Sequence, residues 1–316
     1  MSQRELIVLG TAAQTPTRER NHNGYLLRWD REVLLFDPGE GTQRQMLFAG
    51  VSAAKLTRIC ITHFHGDHCL GLPGVLQRLS LDQAKGPVAV YFPDAGREYF
   101  DRLRGAAAFF ETTALDVRPS AGGVVFADAR FTLSSAALDH RVPTLGWRLH
   151  EADGVSLVPE RLMAAGVQGP AVGALQRDGE VAVNGRRVTL AEVSTARAGQ
   201  SFAFVMDTAL CDAAFELAAD ADLLVCEATF LNADADLAAR YKHLTAGQAG
   251  RIAAEAGARR LVLTHFSQRY GDPAQFAAQA REHFDDVVVA ADLATVPVPP
   301  RRTAPAEPAT SERPDE

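Results

Sequence analysis

The stretch Thr62-His63-Phe64-His65-Gly66-Asp67-His68 decides how the rest of the chain is read. It continues the apolar run Arg58–Thr62, which has the make-up of a strand. Residues two apart at the end of an extended strand point the same way, so His63 and His65 can share one ion. Past Gly66 the chain turns, and Asp67 and His68 then face a second position beside the first. Imidazole and carboxylate are both good zinc ligands, and a mixed His/Asp set suits a catalytic site better than a closed, all-cysteine structural one. The chain has nine histidines. Three of them fall in this short window, which argues against a merely polar loop.

One such cluster cannot close two metal sites, so further ligands must arrive from elsewhere. His140 follows the apolar stretch Ala136–Leu138, Asp207 follows Phe204-Val205-Met206, and His265 follows Leu261-Val262-Leu263-Thr264. Each is a polar residue where an apolar run meets a loop, which is where a scaffold presents site residues. A single residue of this kind is more often a cap or a surface group. Their recurrence beside the first cluster makes all three candidate ligands.

The chain has 316 residues, 47% apolar and 22% charged, a balance that suits one large layered α/β domain with appendages. The formal charge of -7 does not advertise nucleic acid, so affinity for RNA has to come from a local basic surface or from cations held in a cleft. Cys60, Cys69, Cys211 and Cys226 form no C-x-x-C pair and read as thiols in a reducing compartment. The opening MSQRELIVLG runs from charged residues straight into a strand-like segment without an apolar leader. No apolar run approaches the ~18 residues of a membrane span. The expectation is a cytoplasmic protein with no membrane partner.

Working outward, Glu5–Leu9, Tyr25–Trp29, Val33–Phe36, Val88–Phe92, Ser201–Met206, Leu223–Cys226, Arg260–Thr264 and Val287–Ala291 read as strands. Helices are expected from a Thr42 N-cap to about Ala49, from Leu70 to Leu79, from Glu98 to Gly105, and after a Thr245 N-cap with Ala249, Ile252, Ala253 and Ala256 on one face. Residues 151–200 are rich in glycine and arginine with weak periodicity, and carry the turn signals Gly169-Pro170 and Asn184-Gly185; they read as an inserted arm. The remainder of residues 1–300 reads as the main domain, and 301–316 as a disordered tail.

Several segments together resemble the ribonuclease Z family of the metallo-β-lactamase superfamily. They are Leu9-Gly10-Thr11, Arg20-Asn21, Phe36-Asp37-Pro38-Gly39-Glu40-Gly41-Thr42-Gln43, the histidine cluster, Leu138-Asp139-His140 with Pro143 and Gly146, Asp207-Thr208, Glu227-Ala228-Thr229-Phe230, His243-Leu244-Thr245-Ala246 and Leu263-Thr264-His265-Phe266-Ser267-Gln268-Arg269-Tyr270. The histidine cluster specifies only the superfamily; the F-D-x-G-E-G-T-Q, E-A-T-F and T-H-F-S-x-R-Y segments point to ribonuclease Z. The resemblance implies a four-layer αβ/βα sandwich of metallo-β-lactamase type with an inserted arm. It implies two zinc ions per subunit: His63, His65 and His140 on one, Asp67, His68 and His265 on the other, with Asp207 bridging. Asp67 is implied as proton acceptor for the attacking water, His243 as the group near the leaving oxygen, and Glu227 as the carboxylate that orients it. Ser267, Arg269 and Tyr270 follow the last ligand and suit a phosphate. The implied reaction is endonucleolytic removal of the 3′ trailer of precursor tRNA, leaving a 3′-hydroxyl, by a homodimer whose arm grips the tRNA. Three departures stand out. Gly169-Pro170 is a reduced form of the arm's glycine–proline motif, Met206 stands where glycine is common, and Ala209 where arginine is common. The last two are expected to alter packing rather than metal binding.

Three rival functions remain at this point. One is another hydrolase of the same fold, acting as a phosphodiesterase, sulfatase or thioesterase on a small substrate. Another is a non-catalytic RNA-binding partner, which predicts missing ligands where all seven positions are filled here. The third is an iron-dependent oxygenase, which would use mainly one metal position.

Overall fold

The structure, a computed structural model, describes residues 4–302. The segment read as a disordered tail therefore falls, from Thr303 onward, outside the described residues. Two compact units are present among the described residues: 4–150 with 201–299, and 151–200 with 300–302.

The first unit is built on two seven-stranded sheets. One runs, in spatial order, Thr295–Pro297, Arg4–Gly10, Gly24–Trp29, Glu32–Phe36, Arg58–Cys60, Val88–Pro93 and Leu115–Ser120. Its early strands pair antiparallel, and the last four pair parallel. The other runs Val287–Val289, Leu261–Thr264, Leu223–Glu227, Ser201–Val205, Thr144–Glu151, Phe131–Leu138 and Gly123–Ala127. Its first four strands are also parallel. The sheets face each other across a core of Leu6, Tyr25, Leu27 and Phe36 against Leu133, Trp147, Phe202 and Phe204. Alternation along each strand sends the other set of side chains to the outer faces. There Ile7, Leu26 and Ile59 meet helices Thr42–Phe48, Leu72–Leu81 and Arg97–Arg104, while Leu224, Leu261 and Leu263 meet helices Asp212–Ala218, Ala246–Glu255 and Ala274–Ala280. The result is the four-layer αβ/βα sandwich, a metallo-β-lactamase-type arrangement.

Thr245 caps its helix as expected, in a reciprocal capping box with Gln248. Thr42 does not cap. Gly41, at φ 82°, takes the cap position and Thr42 becomes the first helical residue, its hydroxyl donating to the Gly39 carbonyl at 2.7 Å. A non-glycine residue is strained at that φ, and a Cβ on Gly41 would meet the Asn21 side chain at 2.4 Å. The helix expected from Leu70 is split into Gly66–Cys69 and Leu72–Leu81, with Gly71 and Pro73 between the two runs and at the second start. The Gly71 Cα lies so close to the Gly39 carbonyl that a Cβ would sit 2.0 Å from its oxygen, which ties this junction to the turn after Phe36.

In the second unit, helices Pro159–Ala164 and Pro170–Asp178 and the hairpin Glu180–Val183/Arg186–Thr189 enclose a small core of Val167, Leu175, Val188 and Val193. Asn184 and Gly185, both at positive φ, make the two-residue hairpin turn that their sequence predicts. Pro170 opens its helix, where a missing N–H costs nothing.

Candidate active site

The site residues lie just beyond strand ends from both sheets. The Arg58–Cys60 strand delivers His63 and His65, and the short helix Gly66–Cys69 delivers Asp67 and His68. From the second sheet, His140 follows Phe131–Leu138, Asp207 follows Ser201–Val205, Glu227 ends Leu223–Glu227, and His265 follows Leu261–Thr264. Asp37, Asp207 and His265 have φ of 45°, 46° and 60°. Each sits just past a strand of a parallel pair, and the left-handed kink turns its side chain off the strand line. Asp and His are among the side chains that accept this region best, and such local strain gathers at functional sites.

The structure brings all seven expected ligands together. His63, His65, His140 and Asp207 offer atoms within 4.8 Å of one another, and so do Asp67, His68 and His265. Asp207 joins the two groups. Its Oδ2 lies 3.6 Å from His63 Nε2 and 3.7 Å from His140 Nε2. Its Oδ1 lies 3.3 Å from His68 Nε2 and 3.2 Å from His265 Nε2.

Hydrogen bonds behind the cluster fix which ring nitrogen faces inward. His68 Nδ1–H donates to Asp37 at 2.8 Å and His140 Nδ1–H to the Lys242 carbonyl at 2.9 Å. The Thr62 hydroxyl spends its proton on Asp37 at 2.7 Å, so it accepts from His63 Nδ1–H at 3.0 Å. The Thr229 hydroxyl donates to Glu227 at 2.5 Å and so accepts from His265 Nδ1–H at 2.7 Å. The Nε2 atoms of these four rings are thereby left facing the centre.

The donor set fits a divalent cation. Asp207 Oδ1 and His265 Nε2 are buried without a hydrogen-bond partner among the described residues, an arrangement that buried polar atoms ordinarily avoid. Burial holds His63, His65 and His140 below the ordinary histidine value, so they present neutral imidazoles. Burial opposes charge on His68 as well, but Asp207, Asp67 and Asp37 around it drive its imidazole up: these carboxylates call for a positive charge at this point. Burial would raise Asp67, yet His68 and His265 beside it hold its carboxyl far below the usual carboxylate range.

His243 is a separate device. It lies just past helix Ala235–Tyr241, and its Nδ1 meets the Glu227 carboxylate at 3.1 and 3.2 Å. Glu227 is fully buried and also accepts from the Thr208 amide at 2.7 Å. Burial pulls the His243 imidazole down, but the charges of Glu227 and Asp207 outweigh it and push it up to about 9. These two carboxylates therefore favour the protonated form of His243.

Two family models match the chain, the metallo-β-lactamase superfamily over residues 17–162 and a β-lactamase superfamily domain over 171–266. The ribonuclease Z of Salinispora arenicola is 62% identical, the alignment covering 96% of this chain and 98% of that protein. The ribonuclease Z of Nocardia farcinica is 61% identical over 96% of this chain and its own full length (100%). The chain belongs to the ribonuclease Z family. Among solved structures it is similar to the short form of human tRNase Z, with 27% identity and a TM-score of 0.68 over 93% of this chain and 99% of that one. As a member of this family it is a hydrolytic endoribonuclease, and the fold with its His/Asp clusters supports a divalent metal. No helix among the described residues is long and apolar enough to cross a membrane.

Around this ribonuclease Z centre opens a cleft of about 350 Å³ lined by Asp67, His140, His243 and His265 and, further out, by Ser267 and Arg269. Tyr270 is turned elsewhere: its hydroxyl donates to Asp234 and accepts from the Leu231 amide at 3.3 Å. Met206 is fully buried in the core between the sheets, and the Ala209 amide donates to the Asp139 carbonyl at 2.8 Å. Sequence reading assigned no role to Asp37, Thr62 or Thr229, which fix the ligand histidines. The F-D-P-G-E-G-T and E-A-T-F segments that contain two of them were the available signal.

Proposed function

We propose that this ribonuclease Z family member is a zinc-dependent endoribonuclease that removes the 3′ trailer from precursor tRNA and leaves a 3′-hydroxyl on the tRNA. The observation that carries the reading is the pair of donor groups bridged by Asp207, with the Glu227–His243 pair beside them. His63, His65 and His140 would hold one zinc ion and Asp67, His68 and His265 a second, with Asp207 facing both groups. The chemistry zinc supplies there is activation of a water and neutralisation of charge on the phosphoryl oxygens.

The chain's own groups do the rest. Asp67, kept ionised by His68 and His265, accepts a proton from the attacking water. As the water oxygen bonds to phosphorus, the bond from phosphorus to the ribose 3′ oxygen breaks. The His243 imidazolium gives that leaving oxygen its proton, and Glu227 holds the ring in place. Arg269 and Ser267 line the cleft where a phosphate oxygen would need donors, and the Arg269 Nε–H already donates to the Ser267 hydroxyl at 3.3 Å. Tyr270, bound to Asp234, contributes by bracing this loop.

The unit Glu151–Gln200 is read as the arm that docks the tRNA, in a cytoplasmic homodimer where one subunit's arm serves the other's site. Its Arg186 and Arg187 are held in exposed ion pairs with Glu192 and Glu180, which are weak enough to exchange for phosphates. Cleavage of a precursor tRNA at the trailer junction, compared with bis(p-nitrophenyl) phosphate, tests the reading. Preference for the RNA with a 3′-hydroxyl product supports it, whereas turnover of the small diester alone returns the case to a small-substrate hydrolase.

A further inference from the structure

The chain carries a net charge of -7, so cations beside the site that lack a carboxylate partner are informative. Arginines such as Arg4, Arg28, Arg58, Arg104 and Arg260 are tied to carboxylates across the fold. Arg141, Arg240 and Arg269 have no such partner among the described residues, and each instead lies over an aromatic ring: Arg141 and Arg240 over Tyr241 at 5.9 and 5.6 Å, Arg269 over Phe230 at 5.2 Å. Arg141, Tyr241, Phe230 and Arg269 all line the cleft described above. Two of these guanidiniums, Arg141 and Arg269, therefore stand in the cleft that an RNA strand would enter.

The two rings are not equivalent. Phe230 is 4% exposed and has little face to offer, whereas Tyr241 is half-buried. Tyr241 stands two positions before His243, and Arg141 directly follows His140. The His140 and His243 rings are themselves 5.1 Å apart, so Arg141 and Tyr241 extend the wall that those two rings begin. Lys242 between them has φ 57°, and its carbonyl receives His140 Nδ1–H, which pins this segment to that wall.

We propose that Tyr241, flanked by Arg141 and Arg240, is the stacking platform for the base of the last nucleotide of the tRNA product. The inference rests on the reading of His243 as proton donor to the leaving 3′ oxygen. That oxygen belongs to the last tRNA nucleotide, so this nucleotide lies along the His243 wall and its base reaches the next ring outward. A π-face accepts any base once a guanidinium leaves it, and the displaced guanidinium is then placed to hold an adjoining phosphate. The platform gives the enzyme grip on this nucleotide without reading its identity.

The test is steady-state kinetics on precursor tRNA carrying either its normal base or an abasic site at the last tRNA nucleotide, with the unmodified protein, Tyr241→Ala and Tyr241→Phe. Stacking on an aromatic ring predicts that the abasic site raises KM of the unmodified protein about tenfold, with kcat changed much less. Tyr241→Ala should raise KM by a similar factor on the normal RNA and add less than about twofold on the abasic RNA, because both changes remove one contact. Tyr241→Phe keeps the ring and should behave as the unmodified protein. Equal losses for Tyr241→Ala on both RNAs, or indifference of the unmodified protein to the abasic site, would overturn the proposal. Absence of any precursor cleavage by the unmodified protein is a different result, which overturns the parent reading and this one with it.

Discussion

The two sheets contribute to the centre in different ways. The first delivers His63, His65, Asp67 and His68 from one continuous loop, while the second delivers His140, Asp207 and His265 singly, from three separated strand ends. Local geometry builds the contiguous set: an extended end followed by one turn of helix aims four side chains at two points. The scattered set depends on the sandwich being folded, with parallel strands in register and left-handed residues just beyond two of them. The lesson is that the loop supplies residue types, whereas the second sheet joins them into one bridged centre.

Breaking the bridge should have the largest effect. Asp207→Ala removes the one residue facing both donor groups, and the expected result is loss of metal from both positions and no measurable cleavage, by metal analysis and precursor assay. His63→Ala should likewise abolish cleavage, since the contiguous set is needed as much as the scattered one. Next comes the device that only the second sheet carries. His243→Ala should lower kcat by about 10²–10⁴, the usual worth of a positioned general acid, while metal content stays unchanged. Its partner gives a signed pH effect. His243 is raised above the ordinary histidine value to about 9, so its proton is present at neutral pH and lost as pH climbs through that value. Glu227→Gln removes the charge that raises it, and the alkaline limb of the kcat profile should move to lower pH. A limb that stays put would separate His243 from the chemistry. The smallest effect sharpens the comparison on the first sheet: Asp37→Asn weakens the acceptor of His68 Nδ1–H, and zinc affinity should fall about 10- to 100-fold with the fold intact.

The same contrast explains how much the sequence discloses. The histidine cluster is legible because its spacing is itself the geometry. His140, Asp207 and His265 are individually ordinary strand-end residues; recurrence and family resemblance raise them, and only the fold puts Asp207 Oδ1 and Oδ2 against different histidines. Asp37, Thr62 and Thr229 escape notice because a second partner of a histidine has no spacing rule, and Thr229 and His265 meet only through adjacent parallel strands. Nine of the fourteen strands of the two seven-stranded sheets are visible as apolar runs; Phe131–Leu138, Thr144–Glu151 and Thr295–Pro297 are among those that are not. Leu115–Ser120 alternates apolar with polar residues over only 6 positions, and Gly123–Ala127 is a 5-residue, largely exposed edge strand, so neither stands out. Residues 151–200 look irregular because their helices and hairpin share only a small core.

Zinc stoichiometry of the full-length protein, measured beside precursor tRNA cleavage for the unmodified protein and for His265→Ala, puts the convergence of both sheets to the most direct test. The account predicts two zinc ions per chain in the unmodified protein, and in the variant the loss of the Asp67–His68 position together with cleavage. Two ions and full cleavage after removal of His265, or cleavage by an unmodified chain that holds one ion or none, would contradict it.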